Sequence, residues 1–154
     1  MGDEKKISTP IKKENFQCVK REKGKGGKRE KTKMVDKLIY NVIGCMIDVH
    51  KELGPGFLES IYHSAVAIEF QNRGILFESE KEITLYYKGE IVGTHRLDLF
   101  VENELVIELK TVEELHKKHY AQVRSYLKAV KKSIGLLVNF ADFQLDARKV
   151  ELNK

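Results

Sequence analysis

Three charged side chains stand where a pair of apolar strands should carry none. Asp98 lies within Arg96-Leu97-Asp98-Leu99-Phe100, and Glu108 and Lys110 lie within Leu105-Val106-Ile107-Glu108-Leu109-Lys110. Residues two apart on a strand share a face, so Glu108 and Lys110 point one way and Leu109 points the other way, into the packing. Asp98 and Glu108 flank a turn near Glu102-Asn103, a spacing that brings their strand segments side by side. Two converging carboxylates suit a hard divalent cation, Mg²⁺ or Mn²⁺, and the Leu109 backbone carbonyl is a further candidate ligand. A cation held there polarises a phosphoryl oxygen and lowers the pKa of a bound water. Lys110 is placed to orient that water or to stabilise charge building on the phosphorane. The chemistry this set suits is phosphodiester hydrolysis. Plain structural readings stand beside it: a salt bridge from Asp98 to Arg96 or Lys110, an exposed strand-end charge at Glu108, or a buried ion network of all three, since an unpaired buried carboxylate is costly.

The surrounding periodicities define the elements that must hold these groups. From Met34, Val35, Leu38, Ile39, Val42, Ile43, Met46, Ile47 and His50 recur at three- and four-residue spacing, the pattern of an amphipathic helix. Gly54-Pro55-Gly56 ends it. A second helix starts near Phe57, with Leu58, Ile61, Tyr62, Ala65 and Ile68 on its apolar face and Asn72-Arg73-Gly74 as its end. Strands are expected over Phe77–Tyr87, Ile91–Val101 and Glu104–Lys110, joined by turns short enough to make them consecutive and antiparallel. A third helix, marked by Leu115, Tyr120, Val123, Tyr126, Leu127 and Val130, leads to the near-continuous apolar run 134–140, which reads as a strand covered on both faces. That crossover makes strands 104–110 and 134–140 parallel. A last strand within 143–152 is expected at the edge. The order predicts an α/β fold, a mixed sheet with helices packed against it.

Asp98 with Glu108-Leu109-Lys110 resembles the PD-(D/E)XK signature of the restriction-endonuclease-like nucleases, with Leu97 in place of the motif's proline. The element order is similar to that fold's αβββαβ core. Gly56-Phe57-Leu58-Glu59-Ser60-Ile61-Tyr62 resembles the G-x-x-E-x-x-Y motif of a family of small prokaryotic proteins in the same superfamily, and Gln122-Val123-Arg124-Ser125-Tyr126 resembles the Q-x-x-x-Y motif of RecB-type nucleases. The resemblance covers roughly residues 35–152. It implies a Mg²⁺- or Mn²⁺-dependent nuclease acting on nucleic acid, DNA in the first instance, with Asp98, Glu108, Lys110, Glu59, Gln122 and Tyr126 as the catalytic set. Glu59 would add a third metal ligand or hold a metal-bound water; otherwise it is a carboxylate favoured by the helix N-terminus. Gln122 and Tyr126 lie one helical turn apart and can reach one point, to bond a phosphate or steady Lys110; otherwise Tyr126 is a core aromatic. His95 ranks low as a ligand because a regular strand turns it away from Asp98. His116 and His119 are expected to face solvent, with His119 able to contact nucleic acid.

Charge is unevenly distributed. Of the 28 Lys and Arg, 12 fall in residues 1–33 against 5 Asp and Glu, a net of +7. The rest of the chain holds 16 basic and 18 acidic residues, a net of −2. The glycine- and lysine-rich segment 1–33 is expected to be a disordered basic tail able to attract phosphates, and residues 34–154 the nuclease-like domain. On the third helix and just beyond it, Lys117, Lys118, Arg124, Lys128, Lys131 and Lys132 offer a further basic series. No apolar run reaches a membrane span. Cys18 and Cys45 have no ligand-like spacing, which suits free thiols in the cytoplasm. The rival to an enzyme is a catalytically silent module of the same fold that binds nucleic acid or a protein partner. A homodimer or larger complex is left open.

Overall fold

The computed structural model describes residues 27–153. The elements run α1 (Gly27–Leu53), α2 (Glu59–Asn72), β1 (Phe77–Tyr87), β2 (Glu90–Val101), β3 (Leu105–Lys110), α3 (Lys117–Val130), β4 (Ile134–Asn139) and β5 (Asp146–Glu151). One sheet holds the strands in the order β1-β2-β3-β4-β5. The β3–β4 pair is parallel and the other three are antiparallel. This is the mixed α/β sheet expected from the sequence, with α3 as the crossover and β5 at the edge.

α1 begins at Gly27, not near Met34. Of the segment expected to be a disordered tail, residues 1–26 lie outside those described, whereas 27–33 form exposed helical turns. Apolar periodicity misses these turns because they bury nothing. Lys, Arg and Glu are good helix formers, Glu30 sits in the positive first turn, and Lys31 pairs with Glu104 at 3.2 Å.

The sheet is covered on both faces. Val42, Cys45, Met46 and Val49 of α1 and Tyr62, Val66 and Phe70 of α2 pack with Leu105, Ile107, Leu109, Leu136 and Val138. On the opposite face, Val123, Tyr126 and Leu127 of α3 pack with Ile83, Leu97, Val106 and Leu137. α3 lies close enough on β4 that a Cβ at Gly135 would meet Val123 Cγ1 at 2.8 Å and the Val106 carbonyl oxygen at 3.1 Å. Only glycine fits there without a shift.

β1 and β2 share a break. Ser79 pairs with Leu99 and Lys81 with Leu97, but Glu80 and Asp98 between them are unpaired in the ladder, and Glu80 has φ of 51°. In an unbroken strand Leu97 and Leu99 would share a face. Instead Leu99 packs on the α1/α2 side and Leu97 on the α3 side. Phe77 and Ile83 of β1 are divided in the same way. The two strands therefore exchange faces together, and Asp98 occupies the point of exchange.

Candidate active site

The β2–β3 ladder runs Val101↔Leu105, Phe100↔Val106, Leu99↔Ile107 and stops one pair short of Asp98 and Glu108. Beyond it the Leu109 N–H donates to Asp98 Oδ2 at 2.7 Å. The contact shown at Leu109 is thus through its amide, with its side chain in the core as expected. Asp98 forms no ion pair among the described residues, so the expected alternative of a bridge to Arg96 or Lys110 does not hold. Burial pushes its carboxyl above the ordinary range, opposed by the Leu109 bond and then by the charges of His63, Lys110 and His95.

Glu108 is 4% exposed. Its Oε1 accepts from Lys110 Nζ at 3.1 Å, while Oε2 is buried with no hydrogen-bond partner among the described residues. Burial foremost, then the charge of Asp98, push its pKa up to about 7 despite Lys110. Glu59 opens α2, and burial and the Asp98 charge raise its pKa too, with Lys110 and His63 working against them. Glu59, Asp98, Glu108 and Lys110 therefore share one electrostatic neighbourhood, at the N-terminus of α2 and the C-terminal end of β3. Asn139, paired in register with Lys110, fixes the chain leaving β3: its side chain donates to the Val112 carbonyl at 2.7 Å and accepts the Val112 N–H at 3.1 Å.

The glycine and tyrosine flanking Glu59 are structural. The Tyr62 hydroxyl donates to the Gly54 carbonyl at 2.6 Å and accepts the Phe57 N–H at 3.2 Å, and its ring stacks on Phe140 at 4.6 Å. Gly56 has φ of 106°, a conformation that favours glycine. Together they hold the loop that starts α2 and so place Glu59.

From α3, Gln122 is half-buried and Tyr126 buried. Burial, then the charge of Glu108, push the Tyr126 phenol up to about 12, with Gln122 acting the other way. Its hydroxyl therefore keeps its proton at neutral pH. His95 stacks on the Tyr126 ring at 4.1 Å and 17°. Regular alternation does not place His95 relative to Asp98, because β2 changes face at that residue. His116 is exposed as expected, but His119 is buried, its Nδ1 accepting the His116 N–H at 2.9 Å. Sequence reasoning also missed His63, one turn after Glu59 on α2, whose Nε2 lies 2.9 Å from the Asp98 carbonyl oxygen. Its spacing from Glu59 was the available signal.

Among the described residues no three acidic, histidine or cysteine side chains gather tightly enough to hold a metal ion by themselves. Of the expected three-carboxylate set, Asp98 accepts from the Leu109 amide and Glu108 from Lys110. The donors nevertheless fit a hard cation in kind. All are oxygens, and Glu108 Oε2 is a buried lone acceptor.

On its exposed side α3 carries Lys117, Lys118, Arg124 and Lys128 and no acidic residue along its length. β1 instead exposes Glu78, Glu80 and Glu82. No helix among the described residues is long and apolar enough to cross a membrane.

A family model described as the PD-(D/E)XK nuclease superfamily matches residues 36–150. None of the curated proteins matches the chain. A solved structure titled "Crystal structure of SSO0001" aligns with a TM-score of 0.50 at 20% identity, over 62% of this chain and 50% of that one. The chain thus spans half the length of that protein, and at this identity the likeness concerns the fold.

Proposed function

Since the chain belongs to the PD-(D/E)XK nuclease superfamily, we propose that it is a divalent-metal-dependent nuclease that hydrolyses phosphodiester bonds of nucleic acid, DNA before RNA. The observation that carries this reading is the buried, partnerless Glu108 Oε2 beside Asp98 and Lys110. A carboxylate oxygen without a donor is costly unless a cation or a proton meets it. Asp98 and Glu108, with the Leu109 carbonyl and Glu59, would hold Mg²⁺ or Mn²⁺. Bound there, the ion supplies Lewis-acid activation of the phosphoryl group and of a water. Lys110, drawn to Glu108 Oε1, is placed to donate to a phosphate oxygen as charge develops. Tyr126, still protonated, and Gln122 add neutral donors from α3. The carboxylate-free basic face of α3 attracts the phosphate backbone, and the acidic β1 edge repels it.

Within the superfamily we assign the chain to the G-x-x-E-x-x-Y family and residues 34–154 to the nuclease-like domain. Gly56 and Tyr62 support the family assignment by jointly fixing the loop before Glu59. The test is incubation of the full chain with single- and double-stranded DNA and RNA in Mg²⁺, in Mn²⁺ and in chelator. Cleavage that needs the metal supports the reading. Binding without cleavage would instead favour the silent module.

A further inference from the structure

We propose that His63 is a positioning residue that pins Asp98 at the break shared by β1 and β2; this rests on the reading of Asp98 as a site carboxylate. His63 Nε2 lies 2.9 Å from the Asp98 carbonyl oxygen and 3.0 Å from Ser79 Oγ. A carbonyl oxygen only accepts, so Nε2 carries the hydrogen, and the Ser79 hydroxyl lies alongside the same N–H. Ser79 is the last β1 residue in register before the break, and Asp98 is the β2 residue at it. The histidine thus enters from α2 where the β1–β2 ladder has no pair, and supplies a donor to a backbone acceptor there.

Asp98 is held from two sides. Its carbonyl is tied to α2 through His63, and its carboxylate is tied to β3 through the Leu109 N–H. Glu80 supports the same geometry at a backbone cost, since φ of 51° is uncommon outside glycine. Because His63 follows Glu59 by one helical turn, the bond that fixes the Asp98 backbone also sets where the first turn of α2 stands against β2. Without it, Asp98 can slip back toward regular alternation, which would turn its carboxylate away from Leu109.

The test is residue-resolved amide hydrogen exchange on the full chain, comparing wild type with His63→Leu, His63→Gln and Ser79→Ala. The Leu109 amide reports directly on the Asp98 carboxylate. His63→Leu is expected to speed Leu109 exchange at least about tenfold while Leu137 in the sheet centre keeps its wild-type rate. His63→Gln, which retains an N–H near the Nε2 position, is expected to restore most of the protection. Ser79→Ala, which keeps the Asp98 bond, is expected to leave Leu109 unchanged. Unchanged Leu109 exchange in His63→Leu would overturn the proposal. So would His63→Gln exchanging as fast as His63→Leu or, should His63→Leu not fold, tenfold faster than wild type. The exchange readout needs no substrate, so absence of nuclease activity in the wild type would remove the functional reading and not the role of His63.

Discussion

Replacing Glu108 by glutamine separates the cost of burying its charge from the rest of the site. The Glu108 carboxyl moves from an ordinary 4.5 to about 7, with burial the first cause and Asp98 the second. That displacement corresponds to about 3 kcal/mol. The native state holds the proton between these two values, where the unfolded chain has lost it, so the native state binds more protons and stability falls as pH rises through the window. Wild type should therefore lose about 2–3 kcal/mol from Glu108 between pH 5 and pH 8. Glu108→Gln resembles the protonated acid and should lose none of this, becoming more stable than wild type at pH 8 and close to it at pH 5. The gain at pH 8 already includes the loss of the Lys110 attraction, because Lys110 opposes the upward shift and the pKa of about 7 is its net result. Urea unfolding of both proteins at the two pH values, without divalent ions, measures the difference. Mg²⁺ at pH 8 should recover stability in the wild type and much less in the variant, because it binds the ionised carboxylate. A variant no more stable than wild type at pH 8 would refute the inference that Glu108 lacks a sufficient partner.

Other consequences concern the helices. Tyr62→Phe keeps the ring on Phe140 but leaves the Gly54 carbonyl and the Phe57 N–H unpaired; it should cost about 1–3 kcal/mol in denaturant unfolding and lower cleavage through Glu59, whereas wild-type stability would contradict the loop-holding role. Because the Tyr126 phenol is pushed up to about 12, Tyr126→Phe should lower the cleavage rate without changing the shape of its pH profile between 7 and 10. Loss of a basic limb in that range would mean that the phenolate acts as a base.

Asp98, Glu108 and Lys110 were legible because charge in apolar strands needs a reason, and hairpin spacing brings the first two together. The layered order was legible because hydrophobic period switches cleanly between helix and strand. What escaped depends on the strand break. Glu80 takes a left-handed conformation that its residue type does not announce, and β2 changes face opposite it, so regular alternation does not place His95. The helical spacing of His63 from Glu59 hints at a shared face, but its partner is a backbone carbonyl at the break, which side-chain types do not reveal. Tyr62 is expected on the apolar face of α2, but its hydroxyl reaches the preceding loop, a contact that appears only once α1 and α2 are folded together. The first turns of α1 bury nothing, so hydrophobic pattern could not mark them.

The most direct test of the central claim is Mg²⁺-dependent cleavage by the purified full chain beside Asp98→Ala and Lys110→Ala, with folding of each checked by circular dichroism. Cleavage that requires the metal and falls at least about a hundredfold in both variants is the predicted result, as expected when transition-state charge stabilisation is removed. Cleavage that survives both substitutions in folded protein would contradict the account, because the phosphodiester would then be hydrolysed somewhere other than this hairpin.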